Sequence, residues 1–157
     1  MLKGILQTDT ALLLEIRLYG CLFLCFADES PILFKGAEGR KKLNMLWEIA
    51  VRNGWISGDL NGDGDVDDEG EAEVRDHTAL ARLFGLRVRY DGRHHDPSEE
   101  IPPDVAFVFG RFWWKGPHFV RINRLLKVIL DPLGSSNTVR NGALKDTRWY
   151  YYAENHA

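Results

Sequence analysis

Apolar positions follow two different rhythms along the chain. In the first half they recur every three to four residues. "GRKKLNMLWEIAVRNGWI" puts Leu43, Leu46, Trp47, Ala50 and Val51 at that spacing, which predicts an amphipathic helix stopping at Gly54. "DHTALARLFGLRVRY" opens on Asp76 as an N-cap, sets Leu80, Leu83 and Phe84 on one face and breaks at Gly85. The alternation in "LRVRY" then predicts a strand. Two shorter stretches come earlier. Residues 9–16, "DTALLLEI", suit a short helix or an extended entry segment. Residues 20–28, "GCLFLCFAD", suit a buried helix or a strand ending ahead of Pro31. The second half is aromatic and branched: "DVAFVFGRFWW", "HFVRINRLLKVILD" and "TRWYYYA", divided by turn signals at "WKGP", "INR" and "PLGSSN". Helices followed by antiparallel strands predict an α+β fold, and the 157 residues are read as one domain, 1–157.

Composition narrows this picture. Apolar residues make up 45% of the chain, with five Trp, five Tyr and eight Phe, enough for a packed core rather than disorder. No apolar run is long enough to span a membrane, and Asp9 and Glu15 interrupt the N-terminal apolar stretch, so no signal peptide is expected. The two cysteines, Cys21 and Cys25, share one apolar run. On a helix their geometry suits a disulfide poorly, so a reducing, cytoplasmic setting is the expectation. The net charge of −3 conceals nine acidic residues and one arginine between Asp59 and Asp76. The remaining Lys and Arg are scattered and only mildly in excess, which gives no nucleic-acid footprint. Nothing in the pattern fixes an oligomeric state.

The acidic segment "DLNGDGDVDDEG", Asp59 to Gly70, matches the first half of a calcium loop. Asp59, Asn61, Asp63 and Asp65 fall at ligand positions one, three, five and seven, Gly64 at the sharp sixth position, and Asp67 at nine. Position twelve, where a bidentate Glu closes such loops, is Gly70, with Glu69 and Glu71 out of register. Crowded carboxylates favour a bound cation; a solvated loop with screened repulsion is the alternative. The 59–70 segment therefore reads either as a site for structural Ca2+ or as a plain acidic loop.

Candidate chemistry lies elsewhere. His118 begins a strand-like run after Gly116–Pro117, and Asp131 closes "VILDP". A strand pair joined at about 123–127 brings these two together at one end of the sheet. An Asp beside the imidazole Nδ1 holds the ring in its useful tautomer. Cys21, opening an apolar helix whose N-terminus stabilises a thiolate, is the group His118 would deprotonate. Each has a plainer reading: Cys21 as a small buried hydrophobe, His118 as an ordinary strand histidine, Asp131 as a turn former before Pro132. Cys25 reads as core. His94 and His95, with Asp91 and Asp96 in a Gly-, Asp- and Pro-rich loop, read as exposed, or as a weak transition-metal site. Trp113 and Trp114 either wall a cleft near His118 or pack. "GSSNTVRNG" at 134–142 reads as a lip of that cleft or a turn.

The set "YGCLFL", "GPHFVRI" and "ILDP", in this order, resembles the papain-like cysteine peptidase superfamily. Within it the likeness is to the compact bacterial peptidases that cleave leader peptides after a double glycine, and to their C39-like relatives. The resemblance covers residues 7–134. It implies a papain-like fold, N-terminal helices packed on a C-terminal antiparallel sheet, acting on a peptide or related amide. By it, Cys21 is the nucleophile, His118 the base and Asp131 the orienting acid. The family's oxyanion-donating Gln, about six residues before the Cys, is replaced here by Glu15. Gln7 lies farther back, and Arg17 is a closer donor. Leu22 and Phe23 follow the Cys where the family has small residues, and the acidic loop is an insertion. Some members of this fold have lost catalysis. One alternative is therefore a non-catalytic binding or structural module on the same scaffold, with a peptide or protein partner and with or without calcium; a second is a calcium-stabilised adaptor in which 59–70 is the functional feature.

Overall fold

The computed structural model describes residues 1–58 and 73–153. It has the α+β character that the two rhythms predict, with helices in the first half and an antiparallel sheet in the second. The chain divides into two compact units, residues 1–86 and 87–157.

The first unit begins with β1 (Leu2–Lys3), which pairs in parallel with β2 (Phe34–Lys35). Between them lie α1 (Leu14–Tyr19) and α2 (Cys21–Glu29). Leu22 through Ala27 are all buried. Burial on every side explains why this run carries no clear helical stripe in sequence. The helix stops at Ser30, whose extended backbone is what Pro31 requires of the residue before it. α3 (Gly36–Arg52) buries Leu43, Leu46, Trp47 and Ala50, the stripe read from its spacing, and starts three residues ahead of the quoted run. Gly39 is needed there: a Cβ would stand 2.7 Å from the Phe34 carbonyl carbon. α4 (His77–Leu83) has the expected cap, with the Asp76 side chain accepting from the Ala79 N–H. The aromatic centre of this unit is Phe23, edge-on to Trp47 and to Phe84 at 5.1 Å each. The Ser30 hydroxyl donates to the Phe84 carbonyl at 2.6 Å, tying the end of α2 to the end of α4.

The second unit is a five-stranded antiparallel sheet built from β3 (Val88–Tyr90), β4 (Val105–Trp113), β5 (Pro117–Ile122), β6 (Val128–Leu130) and β7 (Ala143–Tyr152). Their order is β3-β7-β4-β5-β6. One face carries Val105, Val108, Val120, Ile122 and Trp149. His118 alternates with Val120 and Ile122 along β5 and shares their face. The other face stacks Phe107 and Tyr90 on Tyr150, with centroids 5.0 and 5.1 Å away. Beyond these rings, Arg111 on β4 stands opposite Asp146 on β7. Their ion pair holds the Asp146 carboxyl below the usual aspartate range. Burial alone would raise it; Arg111 and Arg148 outweigh that. A short helix, α5 (Asn137–Asn141), sits in the stretch read as a lip or turn, capped by the Ser136 hydroxyl.

Among the described residues no helix is long and apolar enough to cross a membrane.

Candidate functional site

The sequence-predicted residues fall in both units. In the second, β5 and β6 form an antiparallel hairpin, with Arg121 opposite Leu130 and Ile122 opposite Val128. The turn occupies 123–127. Leu126 N–H donates to the Asn123 carbonyl at 2.9 Å, and Asn123 N–H to the Lys127 carbonyl at 3.0 Å. This closure carries His118, near the start of β5, to Asp131, just past the end of β6. His118 Nε2 and Asp131 Oδ1 are 2.6 Å apart, and both residues are buried. The expected pairing is therefore present, but through Nε2 rather than the Nδ1 anticipated.

Asp131 is held at both oxygens. Oδ1 accepts from the Leu133 N–H at 2.9 Å as well as from His118, and Oδ2 accepts from the Ser136 N–H at 3.0 Å. Burial pushes its carboxyl up, but the bonds from His118, Ser136 and Leu133 win and hold it far below the ordinary aspartate value. It is an ionised partner for an imidazole across the neutral range.

In the first unit, Cys21 is the first residue of α2, half-buried, with Gly20 as the cap. α1 runs almost directly into α2. Gly20 N–H donates to the Ile16 carbonyl at 2.8 Å, and the Gly20 carbonyl accepts from Leu24 N–H at 2.8 Å. Only glycine fits this joint, since a Cβ would lie 2.5 Å from the Ile16 oxygen. The joint sets Cys21 at the first position of α2. Cys25 is fully buried.

The entry segment loops back, as a Gln7 role would need. Gln7 is buried, and its Nε2 donates to the Arg17 carbonyl, four residues ahead of Cys21, at 3.2 Å. Its Oε1 is buried without a hydrogen-bond partner. Such an orphan is costly and marks either strain or function. Arg17, the nearer donor in sequence, spends its Nε on the Leu12 carbonyl at 3.2 Å.

Two other candidates resolve differently. Trp113 is 48% exposed and lies under the Arg111 guanidinium, 5.7 Å from its ring centroid, so it is a surface residue of the hairpin end. His95 corrects an expectation: it is not exposed but 2% accessible. Its backbone bridges to Thr147, with bonds of 3.0 and 2.8 Å in the two directions. Its ring lies flat on Trp149 at 3.5 Å. Nε2 meets Asp91 Oδ2 at 2.7 Å and Nδ1 meets Glu99 Oε1 at 3.2 Å. Neighbouring His94 is exposed, as expected. Asp96 does not join the His95 ring; it accepts from Ser98 instead. Among the described residues, no group of three or more His, Cys, Asp and Glu is placed to hold a metal. The calcium expectation, on Asp59, Asn61, Asp63, Asp65 and Asp67, lies outside the described residues.

Comparison with protein-family models, curated proteins and solved structures finds no match to this chain.

Proposed function

We propose that the chain is a cysteine peptidase or amide hydrolase of papain type, with Cys21 as nucleophile, His118 as base and Asp131 as orienter. The observation that carries the reading is the His118–Asp131 pair: buried, 2.6 Å apart, and formed on an ionised carboxylate whose other bonds are met by backbone N–H groups. An aspartate at Nε2 stabilises the imidazolium that appears when His118 takes a proton at Nδ1. Cys21 adds the nucleophile expected at a helix start.

In this mechanism His118 accepts the Cys21 proton, and Sγ attacks the substrate carbonyl carbon. The oxyanion that forms is met by the Cys21 backbone N–H and by the Gln7 amide, the buried side-chain donor of the entry segment. The C–N bond then breaks, and His118 gives its proton to the departing amine. A water, deprotonated by His118, attacks the acyl–sulfur carbon, and the thiolate leaves with the carboxylic acid released. The substrate class is a peptide or a related amide.

The test is coupling between thiol and imidazole. Iodoacetamide alkylation is followed against pH in a Cys25→Ala background, with and without His118→Ala, alongside hydrolysis of a fluorogenic peptide panel. The expected result is fast alkylation at neutral pH that slows about tenfold or more without His118, and hydrolysis that Gln7→Ala cuts by about a hundredfold. Alkylation that ignores His118, with no hydrolysis on the panel, rejects the reading in favour of a binding module.

A further inference from the structure

We propose that Ser136 is the positioning residue of the His118–Asp131 pair, and that the loop from Asp131 to Ser136, closed by α5, is the device that sets the imidazole. Its catalytic meaning rests on the reading above; its structural content does not.

A carboxylate beside a histidine is free to turn about its last bond, presenting either oxygen or neither. Here it cannot turn. The chain folds back so that two N–H groups from the following residues reach it: Leu133 N–H to Oδ1 at 2.9 Å and Ser136 N–H to Oδ2 at 3.0 Å. The Leu133 bond alone is an ordinary Asx turn and leaves Oδ2 unassigned. The Ser136 bond removes that freedom, so Oδ1 faces His118 Nε2 at 2.6 Å.

Ser136 is itself fixed three ways. Its hydroxyl caps α5 by accepting from Val139 N–H at 3.3 Å. Its carbonyl accepts from Arg140 N–H at 3.1 Å. Its side chain is buried. The hydroxyl, accepting from Val139, keeps its own proton and adds to the hold on the Asp131 carboxylate. The five-residue helix has no fully buried residue and packs against the core through Val139, which seats it beside the loop. Anchoring the loop that grips Asp131 gives it a purpose. Gly134 N–H, donating to the Asp131 carbonyl at 2.8 Å, tightens the same turn.

The test separates the two donors of Ser136. Ser136→Ala keeps the N–H and loses the hydroxyl. Ser136→Pro loses both, at a backbone φ of −83° close to what proline adopts. Ser136→Thr keeps both. The readout is the His118 ring by long-range 1H–15N NMR across a pH titration, which needs no substrate. The expected result is a proton on Nε2 in the wild-type protein and in Ser136→Thr. In Ser136→Ala the titration midpoint falls by about half a pH unit, because a loosened carboxylate stabilises the imidazolium less. In Ser136→Pro the fall is larger. Should the proline variant not fold, the alanine and threonine pair decides alone. A ring with unchanged tautomer and midpoint in Ser136→Ala overturns the inference, whatever the activity. Conversely, a ring that responds to Ser136 in a protein whose Cys21 alkylation ignores His118 keeps the positioning role and rejects the peptidase reading.

Discussion

The second unit buries two histidines against carboxylates, and they are built to opposite ends. His95 has Asp91 on one ring nitrogen, Glu99 on the other and Trp149 across its face. Both ring nitrogens are thus engaged by carboxylates from the same short segment. His118 meets the Asp131 carboxylate through Nε2, and that carboxylate is gripped in turn by the loop that follows it. The first pattern locks a ring as a strut that ties the 91–99 segment to β7. The second fixes a ring through a carboxylate that is itself held in place. Burial and a nearby acid are thus common to both; the difference is that the acids on His95 are its own close neighbours in sequence, whereas the acid on His118 arrives across a hairpin and is held by its own loop.

Exchanging the roles in a mutational comparison gives the largest expected effect. His118→Ala should abolish hydrolysis, by roughly a thousandfold or more, while His95→Ala leaves the rate per folded molecule near that of wild type. Active-site titration of folded protein, combined with turnover on the best peptide of the panel, measures both. Equal losses in the two variants would erase the distinction drawn above.

The next effect runs the other way. His95→Ala strips partners from Asp91, which is half-buried and also accepts from the Tyr151 hydroxyl at 3.3 Å, and removes the ring lying on Trp149. The expected cost is about 2 kcal/mol of folding stability, read as a shift in the urea midpoint at unchanged slope. His118→Ala, with Asp131 still held by Leu133 and Ser136, should cost less. If His118→Ala proves the more destabilising, His118 is the strut.

How much of this was legible in the sequence follows from the range of the interactions. The α3 stripe and the Asp76 cap are local, and local spacing states them. The meeting of His118 and Asp131 was legible because a hairpin fixes register: a turn at 123–127 sends residues on either side to the same sheet end. The choice of Nε2 was not, since it depends on side-chain approach and not on register. His95 was misread because "GRHHDPSEE" is polar throughout. Its burial comes from a bridge to Thr147, fifty residues away, that no local pattern announces. α5 was missed for a similar reason: "NTVRN" has no apolar face, and only its Ser136 cap marks it. Gln7 lies far back for the spacing, and only a looped entry, which the sequence allows without announcing, returns its amide to the Arg17 carbonyl.

The smallest effect is a change of slope. Asp131 has its carboxyl held below the ordinary value of 3.8 in the folded chain. Burial opposes this, and the bonds from His118, Ser136 and Leu133 overcome it. A depressed carboxyl stabilises the fold fully above its unfolded value, and the contribution is lost as pH falls below that value towards the folded one. The difference in unfolding free energy between wild type and Asp131→Asn should therefore shrink as pH falls below about 4. Asp91 and Asp146 are depressed as well, but they are common to both proteins and cancel in the difference. Reading the change only below about pH 4 keeps it apart from histidine titration, ordinarily near 6.5. Parallel stability curves through the acid range would mean that Asp131 gains nothing from its ionised form in the fold, and the contrast between a gripped carboxylate and a shared one would fail at its chemical root.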